Sequence, residues 1–141
     1  MAKVPMWVYD MITDCAESAY TSDHMLVNHS YRLTDDDLKK RIRREKISAA
    51  SRFSKEVFVA DIVASTIEES PELIPWVMDS NSLDEIKIYG EYQNIGVKFE
   101  AGLQHNWEEG AIVCNQICIV IKKERNAYGL SKLVLLTAYP V

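Results

Sequence analysis

The chain has 141 residues, 48% hydrophobic and 26% charged, with a formal net charge of −5. That balance reads as one folded domain, 1–141, long enough to bury a core. Its three cysteines, an odd number, argue against a disulfide scaffold and fit a reducing compartment. No apolar run approaches the ~20 residues of a membrane span. The start of the chain, with Asp10 and Asp14, does not read as a signal peptide.

Trp7, Met11, Ile12, Cys15 and Ala19 recur at helical spacing and predict an N-terminal helix over 7–20. Ser22 or Asp23 can cap a short second helix through His29, which would shelter His29 beside Met25 and Leu26. His24 and His29 are five residues apart, about 140° around a helix, a poor spacing for two ligands of one metal.

Thr34 and Asp37 form the two ends of a capping box that opens the next helix. Between positions 39 and 55 stand Lys39, Lys40, Arg41, Arg43, Arg44, Lys46, Arg52 and Lys55, with Glu45 the only acid. This segment is formally +7, so the rest of the chain carries −12. Such a split suggests a local anion site, although a solvated helix face gives the same pattern. Arg41 lies three residues after Leu38 and borders the stripe of Leu38 and Ile42, which places it best of these cations to face a cleft.

A further helix is expected from a Ser54 cap, and another from Ser70 as cap with Pro71 in its first turn. Asp79–Ser82 reads as a loop. The period then changes to two. Ile86 and Ile88 alternate with Lys87, and Ile95, Val97 and Phe99 follow. A polar loop from Ala101 to Gly110 holds His105 and Trp107. Residues 111–121 predict a central strand, 122–131 a turn, and 132–139 a last strand. Cys114 and Cys118 would lie about 13 Å apart on that central strand and read as small core hydrophobes. Helices first and strands second predict an α+β fold with an antiparallel sheet. On the last strand, strict alternation puts Leu133, Leu135, Thr137 and Tyr139 on one face, and Pro140 should end the pairing.

These pieces occur in a particular order: His24, His29, Leu38-Lys39-Lys40-Arg41, Ser48-Ala49-Ala50-Ser51-Arg52-Phe53, Ile95-Gly96 and Thr137-Ala138-Tyr139-Pro140. In that order and spacing, over about 22–141, the chain resembles the RNase A-like toxin domain at the C-terminal tip of bacterial contact-dependent growth-inhibition and other polymorphic toxins. Residues 1–21 fall outside the resemblance as an N-terminal helical segment. It implies a ribonuclease A-like α+β fold without disulfides. It implies a metal-independent endoribonuclease that cuts RNA by 2′-OH transphosphorylation to a 2′,3′-cyclic phosphate, with no cofactor and no metal. The matched catalytic set is His29, Arg41, Thr137 and Tyr139, with His24, Lys40 and Arg44 as substrate-binding candidates. Partners would be RNA and a cognate immunity protein, the chain being a monomer or a heterodimer with the latter. The place of action would be the cytoplasm of the target bacterium after delivery.

The chain departs from the family pattern where Ser22-Asp23 replaces Gly-Gly and where one extra residue precedes Thr34. These departures and the acidic total leave two other readings open. One is a catalytically weak or inactive relative that binds RNA or protein. The other is an intracellular interaction module whose basic helix meets an acidic partner.

Overall fold

The computed structural model describes residues 3–21, 30, 32–45, 49–54, 58–100 and 112–141. Helix α1 spans Met6–Glu17 and runs into a 3-10 turn at Ser18–Thr21. Helix α2 is Asp35–Glu45, α3 is Val59–Glu69 and α4 is Leu73–Met78. Strands β1 (Ala49–Phe53), β2 (Glu85–Glu100), β3 (Ile112–Asn126) and β4 (Gly129–Pro140) form one sheet in chain order, every neighbouring pair antiparallel. The fold is therefore α+β, as its periodicity predicts.

The main core lies between α1, α3 and α4 and one face of β2–β4. Ile88, Ile117, Ile119, Ile121 and Ala138 point into it from the sheet, and Val8, Ile12, Cys15, Val63, Ile67 and Leu73 from the helices. Ile12, Cys15 and Ala19 of the expected stripe are buried, but at its start Val8 takes the place of Trp7. Val8 is fully buried and Trp7 is 48% exposed, because the helix turns its smaller β-branched residue into the close contact. A second cluster joins Leu38 and Ile42 of α2 to Ala50 of β1 and Phe99 of β2.

Several expected boundaries move. The segment 49–53, not read as a strand, is β1, because it pairs with the far end of β2 from Ala49↔Glu100 to Phe53↔Gly96. Ser70 does not cap α4. It is the extended C-terminal cap of α3, and α4 begins only at Leu73, after a turn at Pro71 and Glu72. Likewise α3 begins at Val59, leaving Phe58 68% exposed ahead of it. The long turn expected over 122–131 shrinks to Ala127 and Tyr128, with Gly129 at φ 115° completing a tight hairpin. The short second helix expected before His29, the Ala101–Gly110 loop and His105 lie outside the described residues.

The pairing register shifts at three places, once between β2 and β3 and twice between β3 and β4. Between Glu91↔Gln116 and Gly96↔Cys114, β2 carries extra residues, with Asn94 at φ 53° and its N–H donating to Asn115 Oδ1 at 2.8 Å. The loop before β2 is fastened by Lys123, whose buried Nζ donates to Asp79 O and Ser82 Oγ and sits 4.8 Å from the Trp76 ring centre. Burial is the main cause holding that lysine below its ordinary pKa.

Candidate functional site

Helix α2 is built as its sequence predicts. The Thr34 N–H donates to Asp37 Oδ2 at 2.8 Å, and the Asp37 N–H donates to Thr34 Oγ1 at 3.1 Å, a reciprocal capping box. Hydrogen bonding from Thr34, its backbone first and its side chain second, holds the Asp37 carboxyl below its ordinary pKa. Leu38 and Ile42 anchor the helix to β1 and β2, and Lys39 Nζ lies 5.0 Å from the centre of the Phe99 ring. Arg41 borders this buried stripe, half-buried, and its Nε donates to Glu45 Oε2 at 2.7 Å. Lys40, Arg43 and Arg44 are exposed. The basic run is thus divided. Lys39 and Arg41 are half-buried against the helix and its neighbours, and Lys40, Arg43 and Arg44 are the exposed members.

At the end of β4 the strict alternation expected from the sequence fails at one residue. Ile121 pairs with Leu135 but Val120 pairs with Thr137, so Leu136 is an inserted bulge residue. The bulge reverses the faces. Residues directly opposite each other share a face, so Leu135 goes with Ile121 toward the core. Thr137 goes with Val120, and Tyr139 with Cys118, on the opposite face. Thr137 and Tyr139 remain neighbours, as expected, but Leu133 and Leu135 do not share their side.

This face has an unusual polar inventory. Thr137 Oγ1 is buried with no hydrogen-bond partner among the described residues. An orphaned buried hydroxyl costs roughly 1–3 kcal/mol, so it is retained where a ligand can satisfy it or where strain is tolerated. Beside it, burial first, then the Cys118 side chain, pushes the Tyr139 phenol well above its ordinary pKa of 10.0. Tyr139 is therefore a neutral hydroxyl at any physiological pH. Cys118 itself is 1% exposed and, like Cys15 and Cys114, a free thiol.

A continuous set of contacts links this strand end to α2. Pro140 packs against Gly96, Gly96 lies on the Arg52 carbonyl, and Arg52 pairs through Nη1 with Asp35 Oδ1 at 2.5 Å in the first turn of α2. The structure thus brings Thr137 and Tyr139 together and connects their strand to the helix of Arg41. His24 and His29 lie outside the described residues, so their expected approach to this face does too. Among the described residues, no three His, Cys, Asp or Glu side chains cluster as metal ligands. A cavity of about 400 Å³ opens between α1 and the other half of β4, lined by Met11, Asp14, Thr21, Lys132 and Leu135 among others. It contains none of the expected site residues.

Reading by periodicity missed Cys118 and Tyr89 as members of the Tyr139 face. Each sits on an alternating strand, and only the pairing register Tyr89↔Cys118↔Tyr139 aligns them.

Helices followed by a curled antiparallel sheet, with all three cysteines free, define an α+β domain without disulfides. The chain matches the family described as the bacterial CdiA-CT RNAse A domain over residues 23–140, and it belongs to that family. It is similar in fold to a chain of a CdiA-CT/CdiI complex from Y. kristensenii, with a TM-score of 0.61 and 20% identity. That similarity covers 84% of this chain and 98% of the other. No curated protein matches the chain significantly. No helix among the described residues is long and apolar enough to cross a membrane.

Proposed function

We propose that this domain is a metal-independent endoribonuclease toxin. The observation that carries the reading is the orphaned Thr137 Oγ1 beside the protonated Tyr139 on one sheet face. Two neutral donors there, on a strand linked through β1 to a helix of cations, suit a phosphodiester. In the proposed reaction the RNA 2′-oxygen attacks the adjacent phosphorus and the 5′-oxygen leaves. The product is a 2′,3′-cyclic phosphate. One proton must leave the 2′-OH and one must reach the 5′-oxygen. His29, with an unperturbed pKa near ~6.5, is suited to carry one of these transfers.

Arg41 supplies a planar, permanently charged partner for the phosphorane oxygens. Thr137 and Tyr139 hydrogen-bond the phosphate and fix its orientation. A phenol whose pKa is raised is a poor base and a weak acid, so positioning is the role that fits Tyr139. His24, Lys40 and Arg44 bind flanking phosphates. The physiological partner is a cognate immunity protein, and the place of action is the cytoplasm of a target bacterium.

The test is incubation of the protein with total RNA in EDTA, followed by analysis of product ends. Cleavage leaving 2′,3′-cyclic phosphates is expected. Activity lost to chelator and restored by magnesium would refute the mechanism. The replacement of Gly-Gly by Ser22-Asp23 favours one second reading, a relative that binds without cutting. It would show salt-dependent RNA affinity with intact substrate.

A further inference from the structure

Strand β2 carries a residue on this face that the proposed chemistry does not use. Ile88 is fully buried in the core, so its neighbours Lys87 and Tyr89 point to the other side of the sheet. Tyr89 is 53% exposed, although it lies mid-strand in the sheet. The register aligns it in one row with the site: Tyr89 opposite Cys118, and Cys118 opposite Tyr139. The adjacent row is Lys87, Val120 and Thr137. Strands lie about 4.8 Å apart, so Tyr89 and Lys87 stand roughly 10 Å across the sheet from Tyr139 and Thr137. The small Cys118 and Val120 between them are buried, and the side chains of Tyr89 and Tyr139 both reach Cys118 from its two sides.

The charges around the row leave Lys87 suited to an anion. Glu85, two residues before it, is opposite Lys122, and Glu91, four residues after, accepts a hydrogen bond from Gln116 Nε2 at 3.5 Å. Each acid thus has a cationic or donor neighbour across the strands. An exposed aromatic ring and a lysine in continuation of a phosphate site are what single-stranded nucleic acid recognises: a stacking surface for a base and a charge for the backbone.

We propose that Tyr89 and Lys87 form a nucleotide subsite that extends the site across the sheet, Tyr89 stacking on the base of a nucleotide neighbouring the scissile one and Lys87 contacting its phosphate. This rests on the ribonuclease reading. It assigns β2 as the element that grips the RNA, whereas α2 and β4 act at the scissile phosphate.

The test uses a short RNA with a single 2′-deoxy nucleotide at the cut position, which binds but cannot cyclise, and a fluorescent adenine analogue beside it. The wild-type protein should bind it and quench the analogue. Tyr89→Ala should weaken binding about 5- to 150-fold, the range for one aromatic–base stack, and lose the quench, while Tyr89→Phe stays within about twofold. Lys87→Ala should weaken binding and lower the salt slope by about one. Replacing the neighbouring base by an abasic site should weaken binding to the wild type but not to Tyr89→Ala, a comparison independent of any change in folding. With cleavable RNA, Tyr89→Ala should raise KM and leave kcat near that of the wild type. If the wild type cuts RNA but Tyr89→Ala binds and quenches as well as it does, or the abasic change weakens both proteins equally, the subsite is refuted and the ribonuclease reading stands. If the wild type neither binds nor cuts RNA, both fail. Loss of immunity-protein binding by Tyr89→Ala with RNA binding intact would assign the face to a protein and overturn the proposal.

Discussion

Gly96 lies directly beneath Pro140: a Cβ placed on Gly96 would stand 2.7 Å from Pro140 Cγ and would run into the Arg52 carbonyl oxygen. The contact holds the last turn of β4, and with it Tyr139, against the β1–β2 lobe. A carbonyl in a paired strand cannot move aside as a flexible side chain can. Gly96→Ala is therefore expected to destabilise the fold by about 1–3 kcal/mol, as overpacking does, and to lower cleavage further than its stability loss explains. Denaturant unfolding and single-turnover cleavage of the same variant check both parts.

The helix that carries Arg41 starts at the Thr34–Asp37 box. Thr34→Ala removes the acceptor for the Asp37 N–H and should cost about 1 kcal/mol. Asp37 is held below its ordinary pKa, so its contribution is present above the unfolded-state value and is lost as pH falls through the lower folded value. Asp37→Asn should accordingly flatten the acid limb of a stability–pH curve measured by chemical denaturation.

Alkaline behaviour has the opposite sign. Burial pushes Cys15 from 9.0 to about 12, and Cys114, also mainly through burial, from 9.0 to about 11. A raised folded pKa means that stability is fully present below 9.0 and declines as pH rises toward 12, because the unfolded chain ionises first. At about 1.4 kcal/mol per pH unit of displaced pKa, the loss should reach a few kcal/mol. Cys15→Ala should remove roughly half of that slope in urea melts at pH 8 to 11, with Cys114 carrying the rest, at some fixed cost in packing.

Substitutions at the proposed site should separate its roles. His29→Ala is expected to lower kcat about 10²- to 10⁴-fold, as loss of a proton-transfer group does. Arg41→Lys should also be damaging, because an ammonium cannot reproduce a forked phosphate contact. Tyr139→Phe should cost about 10²-fold, as for a lost donor to transition-state charge, without changing the shape of the pH–rate profile below pH 10. A limb that moves in the Tyr139→Phe profile would make the phenol a proton-transfer group and overturn the positioning role.

In the proposed function, the exposed cations of α2 are where an acidic immunity protein would dock. Reversing Lys40, Arg43 and Arg44 to Glu should slow association and flatten its salt dependence in stopped-flow experiments. Lys39 is left out because it lies over Phe99 and its loss would disturb the α2 packing. Unchanged association rates would place the inhibitor elsewhere.

Much of this protein can be read from its residues in order. The Thr34–Asp37 box, the Leu38 and Ile42 anchor and the change from helical to strand period after Ser82 are local, and each specifies its element through nearest neighbours. The ordered motifs from His24 to Pro140 carried the family and hence the candidate site. What local patterns could not decide was pairing. Five residues from Ala49 to Phe53 form a strand only because the far end of β2 lies beside them. A single bulge residue, Leu136, reverses the side to which Leu133 and Leu135 point relative to Thr137 and Tyr139. A sheet side chain's face depends on the partner strand's register, and one inserted residue shifts every face beyond it. For the same reason the row joining Tyr89, Cys118 and Tyr139 is a product of tertiary structure alone: 29 residues separate Tyr89 from Cys118 and 21 separate Cys118 from Tyr139, and only two antiparallel pairings bring them into line.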